Sequence, residues 1–544
     1  MPKRTLKLGN GWIAALLACI AVVILTLTAS STGLTWDEPN YIAAAKSYAG
    51  WFGVLVTRPA TAFRPEVINQ FWDSNHEHPP VDKVWLGLVW SAARHVFNDL
   101  TAVRLGNILL VGLLIALVYL WIAEMYGRGA GLFAAGALMA MPRFFFHAHL
   151  AALDVPVSVG IFGTTFLFWK TADRKEWWWG LILGLAWGLA EGMKLNATFL
   201  PIGLALWFLL FRRRWYLALR FVMMGAVAVL TFVLAWPWLY YHTWSRIWDY
   251  YKFHSDHYKI GQWYFGHYYV PPPWHFVFVM LWAVVPLTLL ALAVIGAARA
   301  GWGRKDKGSA WLLVISAIVP LLPFVVAKSL AYDGDRLFMP TFPFLACLAG
   351  VGFGWLIGLL RKWFESIKRP AILAPAGFLL AGLLFLPQVV TMIGLYPHLL
   401  SYYSEGVGGL PGATRMQLET TYWCETYAAA IPYINAHAQP GDKIWVEPYS
   451  YDVMIYYQLI GRLRPDVEIL HNTPGAQSLF GPSAPQPVYG EFIRADWILY
   501  EYRQTQIQEF GGLMLMLPDF LQNMDPPAFE ISYQGVPIMK LYHR

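Results

Sequence analysis

The sequence predicts an α-helical polytopic membrane protein with a small α/β domain at its C-terminal end. Charged residues make up only 13% of the 544-residue chain and hydrophobic residues 57%, which leaves more apolar surface than water can cover. The apolar residues gather into runs long enough, or nearly so, to cross a bilayer as helices. After Leu395 that pattern stops, and shorter alternating runs of strand type take over.

The first run, 12–30, follows Lys3, Arg4 and Lys7. It is long for a signal peptide and is followed by only a weak cleavage site, so it reads as an uncleaved first span. Residues 31–103 form a loop in which 37–52 and 79–97 read as helices lying at the membrane surface, rich in Trp and Tyr. Further apolar runs fall near 104–123, 129–145, 156–171, 177–193, 195–211, 216–238, 275–298, 309–327, 337–360 and 371–395. With the first, they make about eleven spans.

Basic clusters at Lys3/Arg4/Lys7, Arg128, Arg174/Lys175, Arg212–Arg214, Arg304/Lys305/Lys307 and Arg361/Lys362/Lys368/Arg369 all fall between spans on one side. By the positive-inside rule that side is the cytoplasm of a cell inner (plasma) membrane. An odd number of spans then puts the C-terminus outside. The expected division is a transmembrane domain, 1–395, and an external α/β domain, 396–544. The latter has strands at 443-KIWVEP and 497-WILYEYR, a helix near 426–437 and a closing hairpin at 531–543.

Cys19, Cys347 and Cys424 lie too far apart to suggest a disulfide framework or a cysteine zinc site. The net charge of +7 is by itself no argument for nucleic acid, and no nucleic-acid partner is expected.

A second group of cations lies where the positive-inside rule does not place them: Arg58, Arg64, Lys83, Arg94, Arg104, Arg143, Lys194, Lys328 and Arg336. Ionisable groups at a membrane boundary are costly unless paired or functional. Any one of them can pair with Asp37, Glu38, Asp154, Glu191, Asp333 or Asp335, or snorkel. As a set they suit an anionic ligand at the outer interface, such as a lipid phosphate. Asp37 and Asp154 both stand at external helix starts, where either could be only an N-cap. Paired carboxylates beside a phosphate-binding surface are also what inverting sugar transfer needs, one acting as base on the acceptor hydroxyl. His76 and His78, flanking Glu77, could hold a divalent ion, but their spacing is not specific.

In chain order, 37-DE, 78-HPPVDK, 143-RFFFHAHLAALD, Lys194, 263-WYFGHYYVPPPWHF, 332-YDGDRLFMPTFP, 396-YPHLLSYYSEGVGG and 422-YW resemble the protein O-mannosyltransferase and aminoarabinose-transferase group of the GT-C glycosyltransferases. The series runs over nearly the whole chain. The resemblance implies a membrane-embedded inverting transferase that works without a metal or other cofactor. Its donor would be a sugar on undecaprenyl or dolichyl phosphate. It also implies Asp37 as catalytic base, Glu38 holding the acceptor and Asp154 as a further acid. Lys83, Arg143, Arg336 and Lys194 would face the donor phosphate, and His78, His149 and Tyr332 would contact substrate. The chain departs from the family pattern before 422-YW, where 419-ET stands. The trefoil domain of the eukaryotic protein-mannosylating branch has no counterpart, so lipid, glycan and protein all stay open as acceptor.

Two alternatives belong to other classes. A transporter or flippase of lipid-linked saccharide should show inverted repeats and mid-membrane charges, whereas here helix centres are almost free of charge. A non-catalytic scaffold would bind a partner through the C-terminal domain. Within GT-C, an oligosaccharyltransferase usually brings a WWDYG-like motif and a metal, and neither is visible.

Overall fold

The computed structural model describes residues 8–255, 260–301, 307–326, 330–510 and 515–544. Lys3, Arg4, Lys7, Arg304, Lys305 and Lys328 of the charge pattern lie outside these residues. Among the described residues, six helices are long and apolar enough to cross a membrane: Gly9–Thr28, Asp99–Tyr126, Trp215–Leu234, Gly308–Val325, Thr341–Ser366 and Pro370–Leu395. Three shorter apolar helices accompany them, Trp179–Glu191, Leu195–Phe211 and Leu287–Ala300.

Proline explains why apolar length suggests more unbroken spans than are found. The run 129–145 breaks into Arg128–Met139 and Pro142–His147, with Met141 extended before the proline. The run 275–298 breaks at Pro286, and Val285 before it is again extended. Pro320 and Pro323 tighten the end of 309–327 into 3₁₀ geometry and a single short turn. Several of these interruptions lie near the end of the bundle that carries the site.

Small residues bring the helices together. Trp179–Glu191 presents Gly184 and Gly188 to Trp215–Leu234. A Cβ on either would come within 2.6 Å of Val227 or Thr231, so only glycine allows this approach.

At one end of the bundle, Arg128 bonds Asn10 at 2.7 Å and Arg212 lies 3.7 Å from Asp173. At the other end lie helices Glu38–Thr57, Pro65–Trp72 and Val81–Ala93. On these rests a six-stranded mixed sheet, after the hairpin β1 (Gln262–Tyr264) and β2 (His267–Tyr269). Its strands are β3 (Lys443–Glu447), β4 (Glu468–His471), β5 (Val488–Tyr489), β6 (Trp497–Glu501), β7 (Phe529–Tyr533) and β8 (Val536–His543). They run in the order β5-β4-β3-β6-β8-β7. Strands β3 to β6 are parallel, and β8 adds antiparallel to β6. Every residue of β6 is buried, as expected for a central strand covered on both faces. The turn between β7 and β8 places Gln534 and Gly535 at φ 51° and 77°, the left-handed pair of a two-residue hairpin.

Sheet and surface helices share one core: Leu34, Ile42, Ala45 and Leu86 pack with Val453, Tyr456, Tyr457 and Met539. Tyr456 donates to Asp99 at 2.6 Å, and the Leu34 amide donates to Tyr457 at 2.7 Å. The sheet is therefore fixed over the bundle, with the carboxyl end of β6 directed at the loops that build the site.

Candidate active site

Asp37 precedes helix Glu38–Thr57, and Pro39 starts that helix well because it lacks the amide hydrogen that a first turn leaves unbonded. The Asp37 side chain makes no capping bond. It turns instead to Arg336, whose guanidinium lies 2.6 Å from the carboxylate. Arg336 also bonds Asp333 at 2.8 Å and reaches Asp154 at 4.0 Å. Its guanidinium carbon lies 4.4 Å from the centre of the Trp423 ring and 5.0 Å from that of Tyr332. Asp154 in turn holds Lys194 at 2.5 Å. Asp333 is bonded from its other side by Arg503, two residues beyond the end of β6.

This ionic chain walls a cavity of about 380 Å³, whose lining includes Asp37, Lys194, Asp333, Arg336, Arg503 and Glu509. A second cavity of about 450 Å³ shares His78, Lys194 and Tyr332 with it. Its remaining wall is largely apolar, with Leu195, Phe199, Pro320, Phe324 and Leu337. The two cavities adjoin at these three residues, the first lined by charges and the second largely apolar.

The loops around it are held in uncommon backbone. Asp333, Trp423 and Cys424 have φ of 54°, 76° and 66°, conformations that cost energy outside glycine and cluster at functional sites. Neighbouring bonds stabilise them. Glu501 at the end of β6 accepts from the Cys424 amide at 2.9 Å and the Thr426 hydroxyl at 2.7 Å. The Trp36 amide donates to the Trp423 carbonyl at 3.0 Å. Gln262 of β1 donates to Glu419 at 2.8 Å and accepts from the Gly334 amide at 3.2 Å.

Electrostatics follow from burial. Burial pushes the Asp37 carboxyl above its ordinary value, against the opposing pull of Arg336. The same desolvation, with Lys83 and Lys194 nearby, holds His78 well below the usual histidine value. Burial thus favours the neutral form of His78, and among the described residues its Nδ1 is buried without a partner. Nε of Arg336 and Nε of Arg503 are also buried and unbonded, although both residues line the cavity.

Of the residues singled out from sequence, the structure brings Asp37, Lys194, Arg336, His78 and Tyr332 to the cavity wall, with Asp154 directly behind. Four others do not line the cavity. Glu38 is fully buried off the cavity. It is clamped by Arg104 at 2.6 Å and bonded by the Ala151 amide at 2.8 Å, so it ties the first loop to the segment before Asp154. Lys83 is equally buried and donates to the Asn75 and His78 carbonyls at 2.6 and 2.9 Å. Burial lowers its pKa to about 7, and it shapes the loop that carries His78. Arg143 pairs with Asp335 at 2.7 Å, beneath Tyr403 and Tyr422. His149 bonds Thr28 at 2.7 Å and the Phe145 carbonyl at 2.8 Å.

His76 stacks on Trp238 and bonds the Asp73 carbonyl at 2.7 Å. Among the described residues, no group of three His, Cys, Asp or Glu side chains could hold a metal ion. Sequence reasoning missed Arg503 and Glu509, which come from the C-terminal sheet region. The available signal was a cation standing immediately after the strand 497-WILYEY.

Residues 77–241 match the family described as dolichyl-phosphate-mannose-protein mannosyltransferase. No curated protein matches the chain by sequence. Among solved structures, ArnT from Cupriavidus metallidurans bound to undecaprenyl phosphate is similar with a TM-score of 0.51 and 18% identity, over 98% of both chains. The archaeal oligosaccharyltransferase AglB from Archaeoglobus fulgidus, in complex with an inhibitory peptide and a dolichol-phosphate, is similar with a TM-score of 0.50 and 10% identity. That likeness covers 91% of this chain and 70% of AglB. The family match over 77–241 and the likeness in fold over almost the whole length together show a chain of the GT-C glycosyltransferase fold.

Proposed function

We propose that this protein moves a sugar from a polyprenyl-phosphate donor, undecaprenyl- or dolichyl-phosphate, to an acceptor hydroxyl at the outer face of the membrane, with inversion at the sugar carbon. The observation that carries this reading is the Asp37–Arg336 pair at 2.6 Å on the wall of a cavity with three cationic side chains. The unbonded Nε–H groups of Arg336 and Arg503 can donate to phosphate oxygens, because buried donors demand partners and charge-assisted bonds to phosphate are strong. The adjoining apolar cavity suits the first part of a polyprenyl chain. ArnT, similar in fold, was solved with undecaprenyl phosphate, which agrees with this choice of donor.

In the resting protein Arg336 holds the Asp37 carboxylate. A donor phosphate competes for that guanidinium, and as Arg336 turns to it Asp37 is freed to act as base. The acceptor oxygen forms its bond to the sugar carbon while its proton passes to Asp37. The bond from that carbon to the phosphate oxygen breaks, and the electron pair leaves on polyprenyl phosphate. Arg336, Lys194 and Arg503 stabilise the charge that develops there. Asp154 keeps Lys194 and Arg336 in register, and neutral His78 can hydrogen-bond a sugar hydroxyl.

Two expected results belong here. Activity should survive EDTA, because these cations supply the charge that an ion would otherwise bring; transfer assays with and without chelator and added manganese check it. Arg503→Lys, which keeps the charge beside Asp333 and removes the guanidinium's Nε–H, should raise KM for the donor roughly tenfold with a smaller change in kcat. Steady-state kinetics on membranes of matched expression read the split.

Mass spectrometry of lipids and glycans from membranes with and without the protein tests the proposal as a whole. A sugar-modified product that depends on the protein, and on Asp37, supports it. Identical profiles would remove its basis.

A further inference from the structure

The segment 396–409 supplies no residue to the cavity described above, yet it is firmly fixed. His398 bonds Glu425 at 2.9 Å, and Ser404 bonds the carbonyls of Ala283 and Trp282 at 2.7 and 2.8 Å. Its second half, with the end of helix Leu373–Leu395 and the β7–β8 turn, encloses a separate pocket of about 300 Å³. That volume stands at the lower end of the range for small-molecule sites, roughly 300–1,000 Å³. Ser401 and Tyr402 line it and are at most 1% exposed. Among the described residues, neither the Ser401 hydroxyl nor the Tyr402 hydroxyl has a partner. Buried hydroxyls without partners are uncommon, because each forgoes the bond it would make in water.

The rest of the wall indicates what would satisfy them. Thr391 and Gln534 add a hydroxyl and an amide, and Tyr403 and Tyr533 add aromatic surface. Among the described residues no Lys, Arg or His lines the pocket, which disfavours an anion. The single carboxylate, Glu405, already accepts from the Leu287 amide at 3.3 Å. A hydrocarbon would leave the two hydroxyls dry. A ligand that both donates and accepts hydrogen bonds and also offers a C–H face to a ring meets every wall. We infer that this pocket is a binding site for a neutral saccharide unit, separate from the cavity of Asp37 and Arg336. The sugar can come from a soluble glycan or from the headgroup of a glycolipid, since both present the same hydroxyls. The pocket touches the other site from behind: the Tyr402 carbonyl accepts from Arg143 at 3.1 Å, and Arg143 holds Asp335, the neighbour of Arg336.

The test is saturation-transfer NMR on the full-length protein in nanodiscs, prepared without sugar-headed detergents, because an alkyl glycoside would itself fill the site. The probes are glucose, N-acetylglucosamine and lactose, with glucuronate as the anionic control. At least one neutral sugar should bind. Its Kd should rise at least tenfold in Tyr402→Phe and in Gln534→Gly, and stay unchanged in Asp37→Asn. The Gln534→Gly change suits a position at φ 51° and therefore removes the amide without straining the turn. Nanodiscs containing a galactosyl diacylglycerol identify the source: displacement of the free sugar indicates a glycolipid headgroup, and its absence a soluble glycan, either of which supports the site. Failure of every neutral sugar to bind overturns the inference. So does a Kd that both pocket variants leave unchanged, or a preference for glucuronate. Dependence of the signal on Asp37 would place the sugar in the other cavity and would equally overturn it.

Discussion

Asp37→Asn should lower turnover about 10²–10⁴-fold, the usual worth of a positioned general base, while expression and donor binding stay close to wild type. Asparagine has nearly the shape of aspartate and can still accept a bond from Arg336. Because the Asp37 side chain caps nothing, the helix start does not depend on it. What the substitution removes is the ability to take a proton. In the wild type the base must be ionised, so kcat/KM should fall as pH drops through the Asp37 pKa. Burial raises that pKa, so this acid limb should lie above the ordinary carboxylate value of 3.8 and vanish from the residual activity of the Asn variant. Asp154→Asn should instead loosen Lys194, to which it is bonded at 2.5 Å, and so act mainly on KM for the donor. If Asp37→Asn transfers sugar at the wild-type rate, Asp37 is not the base.

Arg336→Lys should cost about 10²-fold or more in kcat/KM, although it keeps the charge. The guanidinium bridges Asp37 and Asp333 at once, at 2.6 and 2.8 Å, and stands over the Trp423 ring. An ammonium has neither the fork nor the plane for this. Lysine is chosen over alanine because removing the charge would leave buried carboxylates uncompensated, a loss of about 3–5 kcal/mol that would confuse folding with catalysis. Thermal melting beside the kinetics separates the two. A variant that melts as wild type and turns over at the wild-type rate would remove Arg336 from the site.

The spans were legible because bilayer thickness sets their length and lipid excludes charge, two constraints written directly into the order of residues. Their interruptions at Pro142, Pro286, Pro320 and Pro323 were legible in principle too, since each proline removes a helix bond, but apolar length alone ran through them. For the site, Asp37 and Arg336 could be singled out because the charges at the membrane boundary form a set and the motifs that carry them resemble a known family. The same argument did not separate them from Glu38, Lys83 and Arg143. All five are charges in the same kind of place, and only tertiary contact shows that Glu38 belongs to Arg104, Lys83 to the 75–78 loop and Arg143 to Asp335. Arg503 was not legible as a site residue. It lies 170 positions from Asp333, and the docking of the sheet over the bundle that joins them depends on cores shared by distant segments, such as Ile42 with Met539.

The central claim is that this protein breaks the bond between a sugar and a polyprenyl phosphate and places the sugar on an acceptor. Purified protein in nanodiscs, given polyprenyl-phosphate sugars labelled in the sugar together with an envelope extract as acceptor, tests it most directly, with lipid and sugar products followed by mass spectrometry and anomeric NMR. The expected result is free polyprenyl monophosphate released in step with labelled acceptor of inverted configuration, both lost in Asp37→Asn. Donor that remains intact with every sugar offered, or that only changes leaflet without bond cleavage, would contradict it.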